Sequence, residues 1–203
     1  MWNTHGYSGP DSTRGLIDSL VGQTVAIAGN AEGVFEEIEQ VSSACEDWPV
    51  WFAVNDVGAR MQWLDHWVSL HGEKFPDWTG RRLKLGLPPE FKTHSMFPTD
   101  PKLIDYDWTG WNPINFGLSG MWAVQLAHVM GAERIILCGC PGDDRPRWDG
   151  TRNEKANFAY GSGTTHSEQI LNNELAREFK RVPGFKEKIR AMSGRNREIF
   201  GSI

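Results

Sequence analysis

Residues 24–41, "TVAIAGNAEGVFEEIEQV", decide the fold. The run "TVAIA" is short, apolar and partly β-branched, and it stops at Gly29 and Asn30, so it reads as a buried strand meeting a turn. Behind the turn, Val34 or Phe35, Ile38 and Val41 recur at helical spacing with acids between them, which is an amphipathic helix. Strand, turn and helix in that order make one unit of an α/β protein.

Working outward, the unit repeats. "PVWFAVND" (49–56) is a second apolar run, closed by Asn55 and Asp56, and "DHWVSLH" (65–71) is a third. Strands this apolar on both faces, separated by helical segments, predict a mostly parallel Rossmann-like sheet with helices on both faces. Residues 72–114 are rich in Gly, Pro and Trp with little periodicity, and read as a loop-rich insertion carrying one or two short strands. "SGMWAVQLAHVMG" (119–131) is the strongest helix, closed by Gly131; "RIILCG" (134–139) is the strand after it. A polar loop follows, then a helix over 168–181 started by Ser167, and "EKIRAMS" (187–193) supplies a last short strand. Residues 1–16, polar and rich in Gly and Ser, read as a flexible tail, leaving 17–203 as a single nucleotide-binding domain.

Totals narrow the function. A chain of 203 residues with 39% hydrophobic and 23% charged residues is an ordinary globular domain. Its net charge of −5 argues against general nucleic-acid binding, which needs a broad Lys/Arg surface. No stretch approaches the roughly 20 apolar residues of a membrane span, and the N-terminus lacks a basic segment followed by an apolar run, so a cytoplasmic protein without a membrane span is expected. The three cysteines, Cys45, Cys138 and Cys140, read as reduced core thiols; Cys138 and Cys140, two apart in a strand, should point to one face. Ten tryptophans favour a core or an interface over ligand stacking, and lean towards a homo-oligomer.

Ligands of open parallel sheets sit beyond the carboxyl ends of the strands. Those ends carry Gly29, Asn30, Asn55, Ser69 to His71 and Gly139 to Asp144, joined by the helix start at Ser119 and Gly120. This neutral set, rich in hydrogen-bonding groups, suits a base, a ribose and a phosphate. Glu32 already satisfies the dipole of the first helix and would repel an anion there. Ser119 and Gly120, at a helix start without an acid, are the better phosphate site; a close crossing of helix over sheet would also call for small residues. His166, in a Gly/Ser/Thr loop before a helix, can take a proton near neutral pH. It can equally stand ahead of Ser167 as the cap. His128 reads as a core or interface histidine, and His94 lies in an irregular stretch.

With these residues in place, the sequence resembles the bacterial sialyltransferases that use cytidine monophosphate sialic acid. The shared features are "IAGN", "FAVN", "LSG" before the apolar helix, "ILCGCPGDD", and "TTHS" ahead of a later helix, in the same order over about residues 24–192. The resemblance implies a metal-independent transferase with no bound cofactor, moving a sugar from a CMP-type nucleotide sugar to an acceptor hydroxyl. Gly29, Asn30, Asn55, Ser119, Gly120, Gly139 and Asp143 would hold the donor, with His71 as a further donor contact. His166 would be the general base, and Tyr160 would steady the leaving phosphate; a second tyrosine for that task has no counterpart. A more distant likeness to 6-hydroxymethylpterin diphosphokinases implies instead a magnesium-dependent pyrophosphate transfer, with Asp65, Asp143 and Asp144 as metal ligands. A third reading, supported by Glu32 and the missing tyrosine, is a non-catalytic nucleotide-binding module.

Overall fold

The computed structural model describes residues 11–97, 100, 102, 104–109, 119–142, 146–151 and 184–203. Seven strands form one sheet, all parallel: β1 (Thr24–Ala28), β2 (Val50–Val54), β3 (His66–Ser69), β4 (Lys92–Ser95), β5 (Tyr106–Asp107), β6 (Arg134–Cys138) and β7 (Ile189–Ala191). Their spatial order is β5-β4-β3-β2-β1-β6-β7. The chain therefore begins in the middle, builds outward to β5, and returns to lay β6 on the other side of β1. That reversal opens a crevice at the carboxyl ends of β1 and β6, because the connections leaving the two strands diverge.

Four helices are described: α1 (Val34–Ala44), α2 (Phe75–Lys84), α3 (Ser119–Val129) and α4 (Gly194–Phe200). Alternation along the strands separates two cores. Val25, Ile27, Phe52, Val54, Ile135 and Leu137 face the layer of α3 and of Phe200 from α4. Ala26, Ala28, Trp51, Ala53, Trp67, Ile136 and Cys138 face the layer of α1 and α2. Helices thus cover both faces, as the apolar strands require. Helix α3 is buried at eight of its eleven residues. Its end is tied by the Gly131 amide to His128 O (3.0 Å) and the Ala132 amide to Ala127 O (3.0 Å), the paired bonds of a glycine-terminated helix.

Several expectations are corrected. The tail does not extend to Leu16: Asp11–Leu16 form a 3-10 turn, and Thr13 and Leu16 are buried. Within the supposed insertion of residues 72–114, α2, β4 and β5 extend the sheet and its cover; residues 110–114 lie outside the described part. Helix α2 escapes a count of apolar periods because its buried positions are Phe75, Trp78 and Arg82. Arg82 is buried as a clamp, donating to the carbonyls of Gly58 (2.8 Å), Met61 (2.5 Å) and Pro88 (2.6 Å), and so fixes the connection leaving β2. His94 is no loop residue but the centre of β4, fully buried. Cys138 and Cys140 face opposite layers, because the chain turns at Gly139 (φ 57). Both are free thiols, as is Cys45. Trp67 and Trp108 are core residues and Trp63 is exposed, while Trp111 and the helix expected at 168–181 lie outside the described residues. Among the described residues, no helix is long and apolar enough to cross a membrane.

Candidate functional site

A cavity of about 260 Å³ lies at the carboxyl edge of the sheet, where β1, β2 and β6 end and α3 begins. Gly29, Asn30, Asn55, Ser119, Gly120 and Gly139 all line it. Ligand pockets run from roughly 300 Å³ upward, so the space lies at the small end of that range.

The floor is a contact of two backbones. A Cβ on Gly29 would stand 2.4 Å from Gly139 O and 2.5 Å from Cys140 Sγ, so the β1 and β6 turns can meet only with glycine there. The Gly29 amide donates to Cys138 O (2.7 Å) and the Ala31 amide to Gly139 O (3.1 Å). The Gly139 amide donates to Glu37 Oε2 of α1 (2.7 Å), a buried carboxylate. Burial, reinforced by Glu37, pushes the Cys140 thiol up to about 12, so it stays protonated.

Three amides of the β1 turn are already used: those of Ala31, Glu32 and Val34 donate to the Gly139, Pro146 and Ala31 carbonyls. Glu36 and Glu37 stand in the first turn of α1 as well. The α3 start differs, with no acid in its first turn. Among the described residues, a Cβ on Gly120 would meet only Cys140 Sγ, at 3.7 Å, an ordinary contact distance. Ser119 is buried, and its Oγ accepts the Leu70 amide (3.2 Å), tying the end of β3 to α3.

Asn55 takes the left-handed conformation (φ 59) in which asparagine is tolerated. Its backbone carbonyl accepts from Trp67 Nε1 (2.5 Å), and its Oδ1 accepts from Ser69 Oγ (2.8 Å), which itself accepts the His71 amide (2.9 Å). Among the described residues the Asn55 NH₂ has no partner. Asn30 Oδ1 is buried with no hydrogen-bond partner.

Two polar lining residues were not legible in the sequence. Asn196 of α4 is 2% exposed; its Nδ2 donates to Cys140 O (2.6 Å), and its Oδ1 has no partner. The carbonyl fixes the amide orientation, so Asn196 offers an acceptor. Arg147 is the only charged side chain among the described lining residues, and its Nη2 contacts Asp56 Oδ1 at 2.5 Å. No local pattern marks either residue, because one comes from a polar loop and the other from the last helix.

Other expected residues fall elsewhere. His71 does not line the cavity; it is 64% exposed, with Nδ1 3.5 Å from Glu73. Asp65 precedes β3 at the opposite edge of the sheet, where its Oδ2 accepts the Trp51 amide (2.8 Å). The chain therefore does not bring Asp65 to the end of β6, after which Asp143 and Asp144 follow. Asp143, Asp144, Tyr160 and His166 lie outside the described residues. Compared with known protein families and with curated proteins, the sequence matches none of them.

Proposed function

We propose that this cavity holds the nucleotide part of an activated sugar, and that the chain is a sialyltransferase-like transferase working without a metal. The observation that carries the reading is convergence. Six residues expected at strand and helix ends, drawn from four separate segments, line one cavity at the point where the strand order reverses.

The chemistry asks for little more. An acceptor hydroxyl attacks the anomeric carbon while the bond from that carbon to the phosphate oxygen breaks, and the departing nucleotide keeps the electron pair. His166 takes the hydroxyl proton. The charge gathering on the phosphate is met by the amides at the start of α3, fixed donors that need no reorganisation as the bond breaks, and by Arg147. Asn30 and Asn196 offer acceptors to hydroxyl or amino groups of the nucleotide, and Asn55 offers a donor. The magnesium-dependent reading is not adopted, since it would need Asp65 among its ligands.

Thermal shift with CMP, UMP, AMP and GMP, each with magnesium or with EDTA, tests binding. CMP at a hundredfold excess over its Kd should stabilise the fold by about 2.7 kcal/mol, a rise of about 5–10 °C for a chain of this size, whether or not the metal is present. His166→Ala should keep that shift and lose transfer by at least about 100-fold. Stabilisation that requires magnesium, or none with any nucleotide, would overturn the reading. Binding with no transfer to any hydroxyl acceptor would leave the non-catalytic module.

A further inference from the structure

The ion pair at the cavity rim has a role that the fold does not require of it. Arg147 belongs to the segment 146–151, which is already stitched to the β1 turn. The Glu32 amide donates to Pro146 O (2.8 Å), the Trp148 amide donates to Asn30 O (2.8 Å), and Ala31 forms a bridge with Arg147. Arg60 also lies over the Trp148 ring at 5.0 Å. The Arg147 side chain is therefore not needed to hold its segment in place. It lines the cavity, while Asp56 directly follows Asn55, another lining residue.

Two features make the cavity attractive to an anion. The start of α3 carries the positive end of an eleven-residue helix, with no acid in its first turn. Arg147 adds a full charge that no other charged side chain among the described lining residues opposes. The cavity is also short of partners: Asn196 Oδ1, on a residue 98% buried, and Arg147 Nε make no hydrogen bond. Asp56, however, presents a carboxylate oxygen to Arg147 Nη2, and a carboxylate offers a guanidinium the same acceptor geometry as a phosphate.

We propose that Asp56 is a built-in competitor for the anion subsite, so that a phosphate-bearing ligand binds by taking Arg147 from Asp56. This rests on the reading of the cavity as a nucleotide site. Asp56 keeps the cation neutralised until an anion competes for it. An incoming phosphate exchanges one charge-assisted bond for another, and a ligand lacking phosphate gains nothing from the exchange. Arg147 thus selects phosphorylated ligands over bare nucleosides, and Asp56 lowers their affinity and with it the margin of that selection.

Titration calorimetry of the whole chain with CMP, cytidine, inorganic phosphate and pyrophosphate separates these effects. Asp56→Asn keeps the shape and removes the charge. It should bind CMP and pyrophosphate about five- to tenfold more tightly than the unmodified chain, with cytidine unchanged. Asp56→Ser should do the same, which guards against a folding fault peculiar to one variant. Arg147→Gln should weaken CMP at least about tenfold without affecting cytidine, and the double variant should lose the gain. If Asp56→Asn and Asp56→Ser bind CMP no better than the unmodified chain, or worse, the pair builds the subsite and does not compete for it, and the proposal falls. If neither the unmodified chain nor any variant binds a nucleotide or pyrophosphate, the nucleotide reading falls with it.

Discussion

Gly29→Ala and Gly139→Ala should each cost at least about 3 kcal/mol of stability, whereas Gly120→Ala should cost nothing and gain up to about 1 kcal/mol. The three glycines line the same cavity, and only their surroundings separate them. At Gly29 the added methyl would meet a backbone carbonyl at 2.4 Å and the Cys140 sulfur at 2.5 Å. The carbonyl cannot swing away, because Gly139 O also accepts the Ala31 amide. At Gly139 a methyl would meet Val34 Cβ at 2.6 Å, and the residue is in the left-handed region that costs a side chain a further 1 kcal/mol or so. Among the described residues, Gly120 has only a sulfur, at 3.7 Å. For a chain of this length the first two variants should melt about 6–12 °C lower. Gly120→Leu should stay folded and lose nucleotide binding, because its side chain enters the cavity. Loss of stability in Gly120→Ala as large as in Gly29→Ala would mean that α3 is small at its start for packing and not for a ligand.

The same contrast explains how much of the site could be read from the chain. Gly29, Asn30, Asn55 and Gly139 are visible because each directly follows a run apolar on both faces, and a parallel sheet places all such ends along one edge. Ser119 and Gly120 are visible because they open the most apolar helix. What joins them is the return of β6 to the side of β1, and the order of parallel strands leaves no trace in local periodicity. Arg147 reaches the cavity only because residues 146–151 pair with the β1 turn, and Asn196 only because α4 packs beyond β6. Neither position carries a spacing signal. His71 illustrates the opposite case: it follows a strand as expected, yet its amide turns back to Ser69 and its ring points to solvent.

Burial of polar side chains hid another part of the fold. "KTHS" and "FPDWTGRRLK" look polar in a list of residues, yet His94 and Arg82 are buried at 0% and 1% exposure. Each is accommodated because its polar atoms find fixed partners, which composition cannot reveal. Arg82 has three carbonyls. His94 has a line of rings: Trp108 Nε1 donates to His94 Nδ1 (3.1 Å), so His94 carries its proton on Nε2 and donates to His66 Nδ1 (2.8 Å). The chain of bonds works only with both imidazoles neutral.

Stability should therefore fall steeply between pH 6.5 and pH 4. Burial holds His66 down at about 4 against an ordinary value of 6.5; Asp65 and Asp105 pull it up, while Lys92 pushes it down. His94 lies well below its usual range, by burial and then by His66, and His128 is held to about 4 by burial and then by Lys188. In the unfolded chain all three take up protons below pH 6.5, whereas in the folded chain they remain neutral. The unfolded state then binds more protons, so stability is complete above pH 6.5 and declines as the pH drops. At about 1.4 kcal/mol per pH unit, His66 alone removes about 2 kcal/mol by pH 5 and about 3 kcal/mol by pH 4. Urea unfolding at pH 7.5 and pH 5 measures the loss. His66→Gln keeps an acceptor for His94 and no longer titrates, so its stability should change less with pH by about one histidine's share. The relay stands at the strands away from the cavity, with His66 opening β3 at the amino edge, so nucleotide affinity of the folded chain should not follow the same curve. Equal urea midpoints at the two pH values would mean that these rings accept protons in the folded state, and the neutral line of hydrogen bonds from Trp108 to His66 would be wrong.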